Sequence, residues 1–297
     1  MFDICYMNGN RSPLSKLLLL IGLSLSILIL IYLPLSYLCL SYGFKSIAYQ
    51  KLLQGVGSLL IFLLPVILLT VYNRDGDDIN MFRSILYNRL IWKYVLGGIM
   101  CMIFIIPFIN WIGYLNSEIK FPDFMKDTEM YFRRMDEEVE IITKKMLMAD
   151  NLWVFLFNVI IFCVIPAFVE EIFMRGFFQR ILTEWFKNII IANIIVSIIF
   201  SFIHFQIYSF LPRFFLSLLL GFIFYYTSDI RISIICHFFN NLMSVAVMYI
   251  GNYCSKIKYY FEDYNFNIVQ GIISLVVVGM IYYYFIYKHR KLCCKTE

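Results

Sequence analysis

Eight long apolar runs dominate the pattern of hydrophobic and polar positions along the chain. Charged or turn residues bound each run, and most runs approach the ~20 residues that a helix needs to cross a bilayer. The runs cover 17–40, 52–72, 94–115, 151–169, 189–205, 208–227, 232–250 and 268–287. This pattern predicts an all-α fold, a polytopic membrane helical bundle of about eight transmembrane helices. Pro212 and Arg213 interrupt the sixth run and leave 214–227 as uninterrupted apolar sequence.

Composition and charge agree with a membrane protein. Of the 297 residues, 61% are hydrophobic, which lies outside the range of soluble domains. The first run follows Arg11 and Lys16 without a small-x-small cleavage pattern, so we expect an anchor and not a removed signal. We expect an integral protein of the cell or inner membrane. A modest excess of Lys and Arg predicts that both of its termini lie on the inner side of that membrane. The net charge of +5 suits an anionic inner leaflet and requires no nucleic-acid partner.

Cysteine spacing argues against a disulfide framework and against a thiolate metal site. The chain has eight cysteines and no C-x-x-C spacing, so most are expected to be buried apolar thiols. They are Cys5, Cys39, Cys101, Cys163, Cys236, Cys254, Cys293 and Cys294.

The third loop, 116–150, is the largest segment outside the apolar runs. Met135, Val139, Ile142 and Met146 recur in it at helical spacing opposite charged positions. This predicts an amphipathic helix at the membrane surface or capping the bundle, and a substrate-gating lid is the alternative. We divide the chain into N-terminal helices with this loop (1–150), a catalytic core (151–251), and a last helix with a basic tail (252–297).

Ionisable side chains inside apolar runs are costly, so they are candidates for chemistry. Glu170, Glu171 and Arg175 close the fourth run. Glu171 and Arg175 are four residues apart and share a helix face, whereas Glu170 is rotated by about 100° from Glu171. The spacing therefore predicts a structural Glu171–Arg175 pair and a catalytic Glu170. The alternative is a charge cluster that only marks the end of a membrane helix.

Two histidines occur in later apolar runs, His204 in Phe-Ser-Phe-Ile-His and His237 in His-Phe-Phe-Asn-Asn. His237 and Asn241 share one helix face. A single membrane histidine is commonly a hydrogen-bonding partner in helix packing. The combination of a carboxylate, two imidazoles and an amide on helices that a bundle can bring together favours a catalytic site instead.

Helix lengths indicate that these groups converge. If the turn after the fourth helix lies near 185–188, Glu170 precedes it by about as far as His204 follows it, roughly 16 residues or ~25 Å. Antiparallel helices then place both groups at one level. The fourth helix must continue through Arg175 and Glu184, and the predicted site lies in the inner part of the membrane and opens toward the cytoplasm.

The ordered motifs Glu-Glu-x-x-x-Arg, Phe-x-x-x-His and His-x-x-x-Asn resemble those of the CPBP family. This family comprises CAAX-prenyl endopeptidases and bacteriocin-processing or self-immunity enzymes, and is also called the Abi family of intramembrane proteases. Every motif residue is present between 170 and 241, and they are Glu170, Glu171, Arg175, Phe200, His204, His237 and Asn241. The resemblance implies hydrolysis of a peptide bond in a membrane-associated or prenylated protein or peptide.

The residues fit such a reaction. Glu170, with His204, is the candidate for polarising a water molecule, because a partly desolvated carboxylate is a stronger base. His237 and Asn241 can offer N–H groups to the oxyanion, and protonated Glu170 can return its proton to the leaving amine. Glu171 and Arg175 would hold the helix and tune Glu170. No cofactor is required in this mechanism.

A zinc enzyme is the competing mechanism within the same family resemblance. His204, His237 and the Glu170 carboxylate would bind Zn²⁺, and Glu171 or another group would act as base. The chain has no His-Glu-x-x-His, and an oxyanion role explains Asn241 better than zinc binding does. We therefore favour a metal-independent, glutamate-dependent enzyme, and the sequence leaves both open.

Two other functional classes are alternatives. A proton-coupled transporter could use buried Glu and His as a relay, but it predicts broken helices at matching positions of two halves, and the sequence shows no such symmetry. A non-enzymatic immunity or assembly protein would keep the fold and only bind. Loss of a motif residue would favour it, and none is lost.

Overall fold

The fold is a bundle of α-helices. The computed structural model describes residues 12–43, 46–73, 90–251, 253–254 and 267–288. It is 89% helical, with no strand among these residues, which confirms the predicted fold class. Cys5, Cys293 and Cys294, together with both termini, lie outside the described residues.

Ten helices make up the described part of the chain. They are α1 (Pro13–Ser41), α2 (Ile47–Tyr72), α3 (Trp92–Phe104), α4 (Ile106–Ser117), α5 (Lys126–Leu147), α6 (Leu152–Phe186), α7 (Ile189–Phe202), α8 (Ile207–Thr227), α9 (Ile230–Gly251) and α10 (Ile268–Tyr287).

The number of membrane spans differs slightly from the predicted eight. In the described residues, six helices are long and apolar enough to cross a membrane. The predicted third span is the pair α3 and α4, which meet at a 42° bend and make a seventh span if counted together. Pro107 in the first turn of α4 has no N–H to continue the helix, which accounts for the break. The predicted fifth span, α7, has only 14 residues.

Polar residues or proline interrupt the apolar sequence of α6 and α8 without ending either helix. α6 continues past the predicted 151–169 to Phe186, as the depth argument required, and Arg175 and Gln179 in the added part are buried with hydrogen-bond partners on α8. Pro212 lies in the first α-helical turn of α8, where backbone N–H groups have no partner within the helix. The apolar sixth run is therefore one helix.

The predicted amphipathic segment of the third loop forms α5, which caps one end of the bundle. Arg133 donates to the backbone carbonyls of Ser117 and Ile119, just after α4. The backbone N–H of Tyr208, at the start of α8, donates to Asp136 at 2.8 Å. These polar contacts attach α5 to the bundle near the connection that carries His204. A gating role for α5 stays a prediction.

Two glycines allow neighbouring helices to pack closely against α7, which precedes His204, and α9, which carries His237. Gly98 of α3 lies directly against the Cys236 thiol of α9, and Gly221 of α8 against the amide of Asn193 on α7. A side chain at either glycine would overlap its neighbour, so both positions allow helices to approach closely. Cys101, Cys163 and Cys236 are buried free thiols, as predicted for most cysteines.

Candidate active site

The buried ion pair on α6 forms the base of the site. Arg175 Nη1 donates to Glu171 Oε1 at 3.0 Å, and both side chains are fully buried. Arg175 Nη2 also donates to the carbonyl and hydroxyl oxygens of Ser217 on α8, at 2.8 and 2.9 Å. The pairing predicted from the spacing is present, and it joins α6 to α8. Ser217 carried no signal in the sequence beyond being a polar residue in an apolar run.

His237 lies between the two adjacent glutamates. Its Nδ1 is 2.8 Å from Glu171 Oε1, and its Nε2 is 3.8 Å from Glu170 Oε2. Because Glu171 also accepts from Arg175, it acts as the acceptor, and we assign the proton to Nδ1 of His237. Glu171 therefore fixes the imidazole so that Nε2 faces Glu170. Glu170 keeps slight access from outside, with 12% of its side chain exposed.

His204 lies in the short connection between α7 and α8. Its Nδ1 is 2.7 Å from the carbonyl oxygen of Phe200, so Nδ1 carries the donated proton and Nε2 keeps its lone pair. Burial is the main cause that lowers the pKa of His204 to about 4, and the positive charge of Arg213 contributes in the same direction. The imidazole is therefore neutral near pH 7 and able to accept a hydrogen bond.

The Phe200 ring links the two histidines. Its centroid is 4.9 Å from that of His204 and 6.1 Å from that of His237. The guanidinium of Arg175 lies over the same ring, 5.4 Å from its centroid. The structure thus brings the Phe-x-x-x-His motif of α7 against the motifs of α6 and α9.

Asn241 lies one turn beyond His237 on α9. Its Nδ2 donates to the carbonyl oxygen of Phe162 on α6 at 3.3 Å, and its Oδ1 accepts from Asn240 at 3.3 Å. An amide nitrogen carries two protons, so one N–H is engaged with Phe162 and the other points elsewhere. Asn241 both ties α9 to α6 and retains a donor.

The zinc alternative was tested against the arrangement of the possible ligands. Among the described residues, no group of three His, Cys, Asp or Glu side chains is placed to hold a metal ion. His237 Nδ1 is occupied by Glu171, and His204 Nδ1 by a backbone carbonyl. These hydrogen bonds leave the Nε2 atoms of both histidines available, as in histidines that bind a metal, so the zinc alternative stays a prediction.

A cleft of about 280 Å³ adjoins the motif helix α9. Its walls come from α3, α4, α8, α9 and the end of α5, and they are mainly aliphatic and methionine side chains with a few amides. The lining residues are Met102, Ile105, Ile106, Ile109, Asn110, Leu147, Leu216, Asn240, Met243, Ser244, Val247 and Met248. Because Asn240 bonds Asn241, the cleft borders the site directly.

The motif residues coincide with a recognisable family segment. The family model of the type II CAAX prenyl endopeptidase Rce1-like proteins matches residues 152–243, from the first residue of α6 into α9. This match supports the resemblance of the segment to the CPBP family of CAAX-type proteases. Comparisons with curated proteins and with solved structures found no match.

The family match supports several predictions in their general form. The chain is an integral membrane protein, and the matched family implies a peptidase, which was favoured over a transporter or a binding protein. The roles of Glu170, His204, His237 and Asn241, the segment boundaries, and links to bacteriocin immunity stay predictions.

The predicted topology contains an inconsistency that the structure exposes. Eight crossings with both termini inside would place α5 outside, whereas the site was predicted to open toward the cytoplasm. Tyr208, four residues after His204, contacts Asp136 of α5. The connection that carries His204 and α5 therefore lie at one end of the bundle, and the two predictions exclude each other.

Sequence reasoning also missed a charged residue near the candidate site. Arg213, noted only as an interruption of the sixth run, acts electrostatically on both Glu170 and His204. A lone cation within an apolar run was the signal that could have identified it.

Proposed function

We propose that this protein hydrolyses a peptide bond of a membrane-associated, prenylated-type protein or peptide by a glutamate-dependent mechanism. The observation that supports it best is the placement of His237, whose two ring nitrogens face Glu171 and Glu170. A buried imidazole between two carboxylates can hold or pass a proton at the point where a peptide would react. An arrangement that served packing alone would not require the second, partly accessible carboxylate.

Glu170 and His204 activate the water in this proposal. Glu170 removes a proton from the water molecule while the lone pair on His204 Nε2 accepts its other hydrogen, which orients the oxygen. The oxygen bonds to the peptide carbonyl carbon, and the carbonyl electron pair moves to the carbonyl oxygen. His204 suits this role because the Phe200 carbonyl fixes its tautomer.

His237 and Asn241 stabilise the oxyanion. In this proposal His237 carries a proton on Nε2 as well as on Nδ1 before the reaction begins and keeps both throughout, so its Nε2–H can donate to the developing negative charge. The second N–H of Asn241 is the other donor. When the tetrahedral intermediate collapses, the C–N bond breaks and Glu170 gives the proton it took from water to the leaving nitrogen. Atoms and protons balance without a further reactant.

Glu171 and Arg175 position these groups. Burial prevents either from meeting a substrate, but Glu171 orients His237, and Arg175 holds Glu171 while bonding Ser217. Loss of either would displace His237 from Glu170, and a shift of about 1 Å can cost ~100-fold in rate.

The cleft beside α9 suits the hydrocarbon part of such a substrate. Its methionine side chains, Met102, Met243 and Met248, are flexible and apolar and adapt to irregular lipid shapes. A lipid-modified residue there would place the adjoining peptide near Asn241. The substrate's identity and the cleaved bond are part of the proposal.

The test is cleavage of a farnesylated C-a-a-X peptide by the purified full-length protein in nanodiscs. Wild type, Glu170→Gln and His204→Ala are compared, with Glu138→Gln as a control at an exposed carboxylate on α5. We expect both site variants to lose at least ~100-fold in rate, the control to keep it, and a zinc chelator to have no effect. Cleavage that survives Glu170→Gln contradicts the proposal, and chelator-sensitive cleavage restored by Zn²⁺ supports the metal alternative.

A further inference from the structure

Arg213 is a partly buried cation that the proposed mechanism does not use. It lies in the first turns of α8, within a run that is otherwise apolar. A guanidinium at such a position costs free energy, and membrane proteins keep such groups mainly for function. Arg213 belongs to none of the three motifs.

One terminal nitrogen of the Arg213 guanidinium makes a hydrogen bond, and the other makes none with any described residue. Arg213 Nη2 donates to the side-chain oxygen of Gln206, in the connection that carries His204. Arg213 Nη1 is buried and has no hydrogen-bond partner in the described part of the protein. A buried N–H without an acceptor is unfavourable, so an acceptor is expected in the working state.

Other arginines of the bundle are held by carboxylates. Arg175 pairs with Glu171, Arg133 with Glu129 and Arg231 with Asp229. Across the described residues, no carboxylate lies within salt-bridge distance of Arg213. Asp136 of α5 acts electrostatically on Arg213; its Oδ2 accepts from the backbone N–H of Tyr208, and its buried Oδ1 has no hydrogen-bond partner among the described residues. Gln206 orients the Arg213 fork without neutralising it.

The charge of Arg213 acts at the reacting centre. Its electrostatic interactions reach Glu170 on α6 and His204 in the adjacent connection, as well as Asp136 of α5. The arginine therefore lies near the proposed water-activating pair, at the α5 end of the site. Arginine binds carboxylates through two parallel N–H groups, more specifically than a lysine could.

We propose that Arg213 binds the terminal α-carboxylate of the peptide substrate and thereby restricts cleavage to bonds close to a free C-terminus. This inference rests on the proposed peptidase function of the same site. The substrate carboxylate supplies an acceptor for the buried Nη1, which has none among the described residues, and Gln206 holds the guanidinium in place for it. Arg213 is then a specificity-determining residue, distinct from the groups that move protons.

The experiment compares two farnesylated C-a-a-X peptides that differ only in a terminal carboxylate or carboxamide. The full-length protein in nanodiscs is assayed as wild type, Arg213→Gln and Arg213→Lys, with Arg180→Gln as the matched control on α6. Wild type and the control are expected to prefer the acid by about 10- to 100-fold in kcat/KM. Arg213→Gln should lose that preference by slowing cleavage of the acid far more than cleavage of the amide, and Arg213→Lys should keep part of the preference.

Binding provides a second measurement that does not need turnover. In the Glu170→Gln background, Arg213→Gln should weaken binding of the acid peptide by about tenfold or more and leave the amide peptide unchanged. An unchanged acid affinity would overturn the inference even if Arg213→Gln reduced activity.

The possible failures are distinguishable. If Arg213→Gln slows cleavage of the acid and amide peptides equally, Arg213 stabilises the oxyanion or the fold. That result would overturn carboxylate recognition. No acid preference in wild type would do the same. If Glu170→Gln still cleaves at the wild-type rate, the proposed mechanism fails. The preference for the acid peptide and its dependence on Arg213 are a separate result and test only the role of Arg213.

Discussion

A single carboxylate oxygen of Glu171 accepts from both Arg175 and His237. Arg175 Nη1 lies 3.0 Å from Glu171 Oε1, and His237 Nδ1 lies 2.8 Å from the same atom. Glu171 thus couples the buried cation on α6 to the imidazole on α9, while its neighbour Glu170 is left for the substrate side. The two adjacent glutamates therefore have different environments, and we expect substitutions at them to have different effects.

Substitution of Glu171 should destabilise the protein far more than substitution of Glu170. Glu171→Gln leaves the Arg175 guanidinium buried without its counter-charge, a change that costs about 3–5 kcal/mol. Glu170→Gln removes a partly accessible group whose nearest charged partner is 3.8 Å away, and should cost about 1 kcal/mol or less. Unfolding of both variants in detergent with increasing denaturant measures the difference. Equal losses would contradict the assigned division between structure and chemistry.

A methyl group at Gly98 should disturb the site through Cys236. Gly98→Ala places a Cβ against the Cys236 thiol, which immediately precedes His237, and overpacking of this kind costs about 1–3 kcal/mol. We expect lower stability and slower cleavage. Cys236→Ala in the same chain should restore both because it removes the overlapping atom. Gly279→Ala is the control, since no heavy atom lies within 4 Å of its new Cβ. Failure of the double variant to recover would place the damage elsewhere.

The attachment of α5 should weaken in acid. The backbone N–H of Phe121 and the side chain of Arg133 both donate to Glu129, which holds the pKa of Glu129 below its ordinary value. A carboxyl with a lowered folded-state pKa contributes stability that is present above its unfolded pKa, near 4.3, and is lost as the pH falls through the folded value. The melting temperature of wild type should exceed that of Glu129→Gln at pH 7, and the gap should close near pH 3. A constant gap across this range would rule out titration of Glu129 as its source.

The entrance to the site should lie on the membrane face that carries α5. Cysteines placed at Glu138 on α5 and at Trp185 near the end of α6, in a variant without the natural cysteines, should label from opposite sides with an impermeant maleimide. Peptide should be cleaved only when added on the side that labels position 138, because Tyr208 joins the His204 connection to α5. Cleavage from the side that labels position 185 would contradict this geometry and would favour an entrance at the other end.

Some of the site could be predicted because it depends on local helix geometry. The four-residue spacing places Glu171 and Arg175 on one face, and the 100° rotation separates Glu170 from them, whatever the tertiary structure. The equal distances from the turn near 185–188 likewise brought Glu170 and His204 to one level. None of these inferences required knowledge of which helices are neighbours.

Other contacts could not be predicted because they join residues far apart in the chain. Arg175 bonds Ser217, and Lys51 donates to Asn158 at 2.7 Å, across separations of 42 and 107 residues. An apolar run predicts a helix that is buried in lipid or protein. It does not predict which face of the helix packs against which neighbouring helix, because all of its faces are apolar. The pairing of polar groups between helices is therefore invisible in the pattern.

The sequence by itself determined the helical membrane fold, the amphipathic α5 and the set of motif residues, since long apolar runs can satisfy their backbone hydrogen bonds in a bilayer only as helices. The tertiary structure decided that α3 and α4 bend at Pro107, that Glu171 holds His237 toward Glu170, and that Arg213 comes close to both Glu170 and His204. These relations depend on how helices pack, and packing is set by side-chain shape and by close contacts such as Gly98 with Cys236, which no single segment encodes.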